Sequence, residues 1–432
     1  MLFVECPKRT ADRAVNDTGK YSYYAGYSLS FAEQLIQHLP FDDDPVVLDP
    51  WNGSGTTTFA AARNGLRSYG SDLNPVMVLV AKARLLRKVT SSSIYPIWKK
   101  IQTEAQIKAS SIDTESDPLR DWLTSKSVAN FRWIERSIRS HLLYEADSPV
   151  VGPKAIDNMS DVAAFFYVTL FRVVRKLTVP FRASNPTWLR RPKGESEKVS
   201  ISLNQLSQDF EKMLSEGIES VERAADTHAS ANSKVELSVC SSESLNLKEN
   251  SIDLVLTSPP YCTRIDYAVA TSAELAVLGF QKTTHFATLR DSLMGTTTVP
   301  ANTALPSSAL GMTCVNLLNE IGAHSSVSSN TYYLKNHVCY FSSLQKSVAE
   351  IQRVLKPHGI ATFVVQDSVY KNIHNDLPAI VSEMAGLLGL NAFQRDDFSL
   401  GSSLASINSK SRRYKPMGFR PTESVISFYK SN

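Results

Sequence analysis

The N-terminal part of the chain switches between helical and strand-like spacing of its apolar positions. Residues 27–39 repeat apolar side chains at the period of an amphipathic helix, and a short apolar run at 46–48 is typical of a buried strand. A glycine-containing loop then leads into a helix of small residues, which ends at Gly65. A second strand is predicted at about 67–71 and another helix after Pro75. This β-loop-α-β-α order predicts an α/β fold with a Rossmann-like, doubly wound and mostly parallel sheet.

The spacing changes after this unit. Four stretches between residues 91 and 234 have helical spacing and little strand-like alternation, which predicts a helical insertion. Strand signals return at 234–240 and 251–258, and a later helix leads through a predicted turn at Pro357-His358-Gly359 into another strand. The predicted division is therefore 1–90, a helical insertion at 91–234, and 235–432, with a loop-rich insertion rich in Ser, Thr and Ala at about 276–335.

Composition narrows the class of protein. The 432 residues exceed one ordinary domain, and 43% hydrophobic with 20% charged residues is usual for soluble globular proteins. Neither a bilayer-spanning run nor a secretory signal is visible, and the five cysteines are scattered without a CxxC pair. A cytoplasmic protein without a membrane or a disulfide framework is expected. The eight histidines form no ligand motif, so no metal site is predicted.

The loop DPWNGSGTTT, Asp49 to Thr58, joins the first strand to its helix. Gly53 and Gly55 allow a tight turn, and the free N–H groups of the next helix point at a bound ligand. Thr58 stands where a dinucleotide motif has its third glycine, and no Lys follows, so a pyrophosphate is not predicted. Asp72, at the end of the second strand, could accept hydrogen bonds from ribose hydroxyls. An ordinary β–α turn with a solvated Asp is the alternative.

The stretch TSPPY ends a later strand with two prolines. The Ser258 hydroxyl and the Pro259 carbonyl offer hydrogen-bond acceptors at fixed positions, because the prolines remove backbone freedom. Such acceptors suit a weakly nucleophilic exocyclic amine, and the ring of Tyr261 suits stacking against a heterocycle. A cis-proline or type VI turn with Tyr261 in the core is an equal alternative for this stretch alone.

Together, DPWNGSGTT, GSDLNP and TSPPY resemble the S-adenosylmethionine-dependent amino-methyltransferases of DNA, the N4-cytosine and N6-adenine enzymes. The resemblance covers about residues 20–90 and 235–432 and implies a class I methyltransferase fold. It implies that the cofactor is held in the first part by Tyr27, Ser28, Asp49, Pro50, Trp51, Gly53, Gly55, Thr56, Asp72, Leu73, Asn74 and, from the second part, Ser241. The target amine would be held in the second part by Ser258, Pro259, Pro260 and Tyr261.

Three departures from the family pattern stand in the sequence. Trp51 replaces the usual Phe, Ser241 replaces an Asp that many members carry near the adenine, and the cofactor loop precedes the catalytic loop. Ser258 before the prolines favours N4 of cytosine, whereas Asp or Asn would favour N6 of adenine. C5 methylation is not expected, because Cys262 follows Tyr261 and is predicted to be a small wall residue.

A base inside a duplex must be flipped or unpaired before its amine can enter such a pocket. The net charge of +4 is too small to indicate nucleic-acid binding, so local clusters matter more. The densest basic cluster runs from Phe181 to Gly194, and an ordinary solvated loop is the alternative to its contact with a DNA strand. For Arg264, the alternative is capping or pairing in the helix that follows. The predicted DNA-binding residues are Asn185, Trp188, Arg190, Arg191, Lys193 and Arg264.

The sequence thus predicts a site-specific DNA methyltransferase acting most favourably on N4 of cytosine, with DNA and a restriction or other defence protein as partners. The helical insertion at 91–234 is predicted to recognise the target. An N6-adenine DNA enzyme and an RNA base amine methyltransferase are the near alternatives. A non-catalytic nucleic-acid-binding subunit is the alternative from another class, although intact glycines, Asp72 and Pro-Pro-Tyr speak against it. An oxidoreductase is disfavoured by the missing third glycine.

Overall fold

A seven-stranded sheet forms the centre of the protein. The computed structural model describes residues 4–8, 21, 26–38, 44–107, 112–143, 150–183, 188–223, 234–262, 265–299, 308–399 and 419–431. Its strands are β1 (Val47–Asp49), β2 (Ser68–Asp72), β3 (Val235–Val239), β4 (Ile252–Thr257), β5 (Leu355–Gln366), β6 (Ser368–Tyr370), β7 (Ile373–Asn375), β8 (Leu390–Ser399) and β9 (Thr422–Lys430).

The strand order is β3-β2-β1-β4-β5-β9-β8, and β6 with β7 forms a separate hairpin. The first five strands run parallel, and β9 is antiparallel to both of its neighbours. The order reverses at β1, where the chain leaves towards β2 on one side and β4 lies on the other. This topology confirms the predicted Rossmann-like, doubly wound sheet of the class I methyltransferase type.

Helices cover the sheet and fill the long connection between β2 and β3. They are α1 (Leu29–His38), α2 (Thr56–Arg63), α3 (Pro75–Arg84), α4 (Lys88–Ile107), α5 (Ser125–Leu142), α6 (Pro153–Asp157), α7 (Asp161–Leu177), α8 (Leu203–Arg223), α9 (Tyr267–Ala270), α10 (Ser272–Val277), α11 (Ala287–Ser292), α12 (Met312–Ala323), α13 (Leu334–Val354) and α14 (Leu377–Leu387). No helix within the described ranges has the length and apolarity that crossing a membrane requires.

The position of β4 in the middle of the sheet explains why its sequence is almost continuously apolar. Leu254 and Leu256 pack on one face, in the cluster that contains Phe31 of α1, while Ile252 and Val255 pack in the cluster on the other face. Parallel strands between two helical layers are buried on both sides, so they lack the alternation of half-exposed strands. The polar residues at the end of β4 therefore stand out as functional candidates.

The helices between β2 and β3 share a core with the sheet domain. Trp98, Phe131 and Phe210 of these helices belong to one buried cluster with Leu79 of α3 and Leu275 of α10. Helix α10 follows the predicted catalytic loop along the chain. The insertion consequently packs directly against elements that border the candidate site, although its role in target recognition stays a prediction.

Arg132 makes the most extensive polar contact between the insertion and α10. Its guanidinium donates to the carbonyls of Ala276 and Val277 at 2.7 and 2.6 Å, and to both carboxylate oxygens of Asp117 at 2.6 and 3.1 Å. The side chains of Arg132 and Asp117 are only 9% and 12% exposed. This buried arginine closes the carboxyl end of α10 and fixes it to α5.

Three local expectations differ from the structure. The predicted turn at 357–359 lies within β5, where the register against β4 shifts and His358 has a φ of 63°. The sequence pattern does not predict the strands β6, β7 and β8. In β8 the half-buried positions from residue 394 onwards are Gln394, Asp396 and Phe398, so no apolar period marks its less exposed face. The stretch at about 276–335 contains α12, whose few charges reflect a buried helix face rather than a loop.

Replacing Arg132 by alanine should destabilise the protein by about 3–5 kcal/mol, because it leaves the Asp117 carboxylate without its buried ion-pair partner and the Val277 carbonyl without its side-chain donor. Urea unfolding followed by circular dichroism measures the change. Arg136 lies on the same helix but is exposed, so Arg136→Ala should change the stability by less than about 0.5 kcal/mol. Equal losses for both variants would contradict the role given to Arg132.

Candidate active site

A cleft opens at the carboxyl ends of the parallel strands. The loops that follow β1, β2, β3 and β4 meet there, which is where open α/β sheets bind ligands. The lining residues are Gly26, Tyr27, Asp49, Pro50, Trp51, Asn52, Gly53, Ser54, Thr56, Asp72, Leu73, Asn74, Met77, Cys240, Ser241, Ser242, Glu243, Ser258, Pro259, Pro260, Tyr261, Tyr267, Ala270, Thr271, Ser292, Leu293, Met294 and Ser343.

The lining has an uneven charge. Three carboxylic acids, Asp49, Asp72 and Glu243, contribute to it, whereas no Lys or Arg appears among the lining residues that the structure describes. A polyanionic ligand such as a pyrophosphate would meet repulsion here, and a cationic ligand would meet attraction. The cleft therefore favours a ligand that carries positive charge.

Asp49 sits at the end of β1 and is buried, with 3% exposure. Its Oδ1 accepts hydrogen bonds from the Thr257 hydroxyl at 2.6 Å and the Trp51 N–H at 3.1 Å. Its Oδ2 accepts from the Thr57 hydroxyl at 2.6 Å and the Tyr27 hydroxyl at 3.5 Å. Burial raises the pKa of Asp49 to about 6, while these hydrogen bonds oppose the rise. The carboxylate thus joins the ends of β1 and β4.

Asp72, the last residue of β2, also holds loops beside the cleft by accepting hydrogen bonds. Its two carboxylate oxygens accept from the backbone N–H groups of Gly53 and Asn74 at 3.0 and 2.8 Å. Burial raises the pKa of Asp72 to about 6, and the charge of Asp49 adds to the rise. Each carboxylate oxygen has a second lone pair that can accept from a ligand hydroxyl. Asp72 therefore both shapes the glycine loop and faces the cleft.

The two glycines of the loop have left-handed backbone conformations. Gly53 has a φ of 48° and Gly55 a φ of 79°, and the N–H of Gly55 closes the turn on the Asn52 carbonyl at 2.7 Å. A Cβ on Gly55 would lie 2.7 Å from the Cβ of Ala81 in α3. Glycine is therefore required at position 55 both for its conformation and for the close approach of α3.

Tyrosine side chains from α9 and α13 hold the backbone of the TSPPY loop in place. The Pro260 carbonyl accepts from the Tyr340 hydroxyl at 2.7 Å, and the Tyr261 N–H donates to the Tyr267 hydroxyl at 3.2 Å. All peptide bonds in the described residues are trans, so the type VI turn considered as an alternative is wrong. Ser258, Pro259, Pro260 and Tyr261 all face the cleft.

Two groups near this loop are held neutral. Burial raises the pKa of the Tyr261 phenol to about 12, and the charge of Glu423 contributes to that rise. Burial also raises the pKa of the Cys262 thiol well above its usual range, and the side chain packs against the apolar cluster beside β5. Because the thiolate is the nucleophilic form of cysteine, this apolar environment disfavours a nucleophilic role for Cys262.

Every predicted cofactor and catalytic residue lines the cleft except Ser28 and Gly55. The Ser28 hydroxyl caps α1 by accepting from the Phe31 N–H at 3.2 Å. Gly55 shapes the turn behind the lining. Sequence reasoning missed several lining residues that belong to no motif, notably Met77, Thr271 and Leu293. These residues can be recognised only from the folded structure, because they belong to elements that reach the cleft from outside the motif loops.

The predicted DNA-binding loop lies apart from the lining of the cleft. Arg190 pairs with Glu197 at 3.0 Å and Arg191 with Asp121 at 2.7 Å, and both arginine side chains remain almost half exposed. Trp188 is 41% exposed, and the backbone N–H of Lys193 donates to Glu197. Asn185 and Arg264 lie outside the described residues. The contact of this loop with DNA stays a prediction.

Comparison with known proteins gives similar sequences but no family model that matches. The Type II methyltransferase M.MvaI of Kocuria varians is 22% identical over 367 residues, which are 78% of this chain and 73% of that protein. The Type II methyltransferase M.BsoBI of Geobacillus stearothermophilus is 22% identical over 274 residues, which are 60% of this chain and 52% of that protein. The chain is thus similar to Type II methyltransferases. It spans only about half the length of the second relative.

The similarity of this chain to solved structures is low. A 16S rRNA (adenine(1408)-N(1))-methyltransferase from Catenulisporales acidiphilia has a TM-score of 0.21 at 12% identity, covering 50% of this chain and 70% of that one. A putative sarcosine dimethylglycine methyltransferase from Galdieria sulphuraria has a TM-score of 0.21 at 10% identity, over 54% and 67% of the two chains.

Gly55→Ala should weaken binding of S-adenosylmethionine at least about tenfold, because the new Cβ displaces the glycine loop. Isothermal titration calorimetry measures the affinity. Gly65 offers a matched control, since its φ of 73° carries the same strain but a Cβ there would meet nothing within 4 Å. Gly65→Ala should therefore lose about 1–2 kcal/mol of stability and keep its affinity. The same affinity in both variants would show that the contact with Ala81 is unimportant.

Asp72→Asn should change the pH dependence of stability. The pKa of Asp72 is raised from 3.8 to about 6 in the folded protein, so this group makes the wild type less stable as the pH rises between these two values. Asparagine cannot ionise, so the stability of the variant relative to wild type should rise between about pH 4 and about pH 6 and then level off. Urea unfolding at several pH values measures this. Asp113→Asn, at an exposed carboxylate, is the control; a flat or falling difference for Asp72→Asn would contradict the burial effect.

Proposed function

We infer that the protein is an S-adenosylmethionine-dependent DNA methyltransferase that transfers a methyl group to an exocyclic amine, most favourably N4 of cytosine. One observation carries the proposal: the glycine loop, its two acids Asp49 and Asp72, and the Ser-Pro-Pro-Tyr loop open into one cleft. The similarity to two Type II methyltransferases supports it independently.

The cleft fits the proposed cofactor. Its acidic lining without a described Lys or Arg complements the positive sulfonium, and Trp51, Leu73 and Met77 offer apolar surface to the adenosine. Asp72 would accept from the ribose hydroxyls with its remaining lone pairs. Ser241 would lie near the adenine, and Tyr27 near the methionine end. When bound, S-adenosylmethionine supplies an electrophilic methyl group.

The chain's own residues would orient the amine. The Ser258 hydroxyl and Pro259 carbonyl would accept the two N–H groups, so that the nitrogen lone pair points at the methyl group. Tyr261 would stack on the flipped base, and its neutral phenol avoids placing a charge beside the ring. The hydrogen bond from Tyr340 to the Pro260 carbonyl holds this frame in place.

The serine at position 258 supports cytosine over adenine, which is the alternative target in the same site. DNA is proposed as the substrate because both curated relatives are Type II methyltransferases. An RNA base remains the rival substrate. The exposed Trp188 with Arg190 and Arg191 would contact the strand, exchanging their present carboxylate partners for phosphates. A restriction enzyme is the proposed partner in the cell.

Methyl transfer is tested with labelled S-adenosylmethionine and duplex DNA, followed by digestion to nucleosides and identification of the labelled one. We expect N4-methylcytosine from the wild type. Ser258→Ala should lower the transfer rate by about 10²-fold with unchanged cofactor affinity, because one acceptor is lost. Ser382→Ala, on α14, is the control, since that hydroxyl only bonds the Pro378 carbonyl in its own helix. Label in RNA alone, or DNA binding without transfer, would refute the proposed function.

A further inference from the structure

Three consecutive residues that line the cleft come from outside the recognised motifs. Ser292 ends α11, and Leu293 and Met294 follow it, so the backbone runs along the cleft at this point. Met294 is buried in the cluster beside β5, whereas Leu293 is only partly buried and packs against the cluster of the insertion. This segment, Ser292–Met294, is uncharged and connects the two cores where it borders the cleft.

Gly295 places this segment on the side of the cleft that the catalytic loop occupies. Its φ is 78°, and a Cβ added there would lie 3.2 Å from the Tyr261 carbonyl oxygen. The backbone at 295 therefore lies directly beside the backbone of the catalytic loop. Two residues span at most about 7 Å, so Leu293 borders the site proposed for the target base.

A buried carboxylate fixes both ends of the segment. Arg290 and Thr297 flank it, and each donates a hydrogen bond to Oδ2 of Asp266, at 2.7 and 2.9 Å. The Arg290 guanidinium also donates to the Thr297 hydroxyl at 2.8 Å, so the three side chains bond one another. The Asp266 side chain is 1% exposed, and water competes little for these bonds. This clasp of three side chains holds the ends of the segment together.

The same two helices hold the segment and the catalytic loop. Asp266 caps α9, whose Tyr267 hydroxyl accepts from the backbone of the catalytic loop at 3.2 Å. Asn336 of α13 donates to the Thr296 carbonyl at 2.8 Å, and Tyr340 of α13 donates to the catalytic loop at 2.7 Å. The position of the segment relative to the catalytic loop is therefore fixed by α9 and α13.

A base that leaves the duplex loses stacking on both of its faces. In the proposed site Tyr261 replaces one of these contacts, so the other face still needs an apolar surface. Leu293 offers one, since its side chain is partly exposed at the cleft. The neighbouring side chains are less suited, because the Ser292 hydroxyl donates to the Leu289 carbonyl at 2.9 Å and Met294 is only 8% exposed.

We propose that Leu293 binds the target base by packing on the face that Tyr261 leaves free, and that Asp266, Arg290 and Thr297 are positioning residues that keep it there. This rests on the proposed function. The contact forms only with a flipped base, so it stabilises the complex with target DNA and leaves the binding of the cofactor unchanged.

Binding to two DNA duplexes tests the assignment. Both carry the sequence that is methylated in the transfer assay, one with the target base and one with an abasic site in its place. Fluorescence anisotropy in the presence of S-adenosylhomocysteine measures the affinity. Leu293→Ala should bind the intact duplex about tenfold more weakly than the wild type and the abasic duplex equally well, because only the base contact is lost. Leu387→Ala, at a 60% exposed position of α14, should match the wild type on both.

The clasp is tested with a pair of variants at one position. Thr297→Val removes the hydroxyl that bonds Asp266 and Arg290, so it should weaken binding of the intact duplex about threefold and leave the abasic duplex and S-adenosylmethionine unaffected. Thr297→Ser keeps the hydroxyl and should restore the wild-type affinity. A merely structural hydroxyl would not distinguish the two duplexes.

The outcomes separate the two proposals. If the wild type methylates DNA and Leu293→Ala binds the intact duplex as tightly as the wild type, or loses equal affinity for both duplexes, the role of Leu293 is wrong and the function stands. If the wild type transfers no methyl group to DNA, the function fails and this role fails with it. Should Leu293→Ala not fold, the Thr297 variants decide, since equal affinities of the two for the intact duplex would overturn the role.

Discussion

The hydrogen bonds of Asp49 are the constraint on which the site depends. A single buried carboxylate accepts from Thr257 at the end of β4, from Thr57 in α2 and from the Trp51 N–H in the glycine loop. Because Thr257 immediately precedes Ser258, the same carboxylate sets the distance between the cofactor loop and the catalytic loop. The desolvation that raises its pKa is the cost of this arrangement. Both loops therefore start from the same hydrogen-bonded group at the ends of β1 and β4.

The helical insertion shows how a second layer of structure reaches the same site. Its core is continuous with that of α3 and α10, and Arg132 binds the last carbonyls of α10. Helix α10 in turn begins one residue after Thr271, whose hydroxyl accepts from the Asn74 side chain behind the glycine loop. A chain of packed and hydrogen-bonded groups thus connects the insertion to both sides of the cleft.

Much of the fold and of the site was predictable from sequence because the signals are local. Buried parallel strands leave continuous apolar runs, and the residues that face the cleft follow directly after β1, β2 and β4. Tyr27 lines the cleft as expected, but its hydrogen bonds to Asp49 and to the Leu256 carbonyl could not be read from the sequence. Thr271 and Leu293 carried no local signal at all, since they reach the cleft only through tertiary packing. Likewise, the acidic partners of Arg190 and Arg191 could not be paired with them from the sequence.

The pairing of β1 with β4 also has a consequence for how the molecule assembles. Asp49 and Thr257 are 208 residues apart along the chain, although their side chains are 2.6 Å apart. Closing a loop of this length costs entropy before the sheet contacts form, and topologies rich in such distant contacts fold slowly. Some contacts within the insertion are much nearer in sequence, such as the hydrogen bond between Tyr167 and Glu135, which are 32 residues apart. During synthesis, β4 must therefore leave the ribosome before the glycine loop and the Ser-Pro-Pro-Tyr loop can come together. The cleft is consequently formed late in folding.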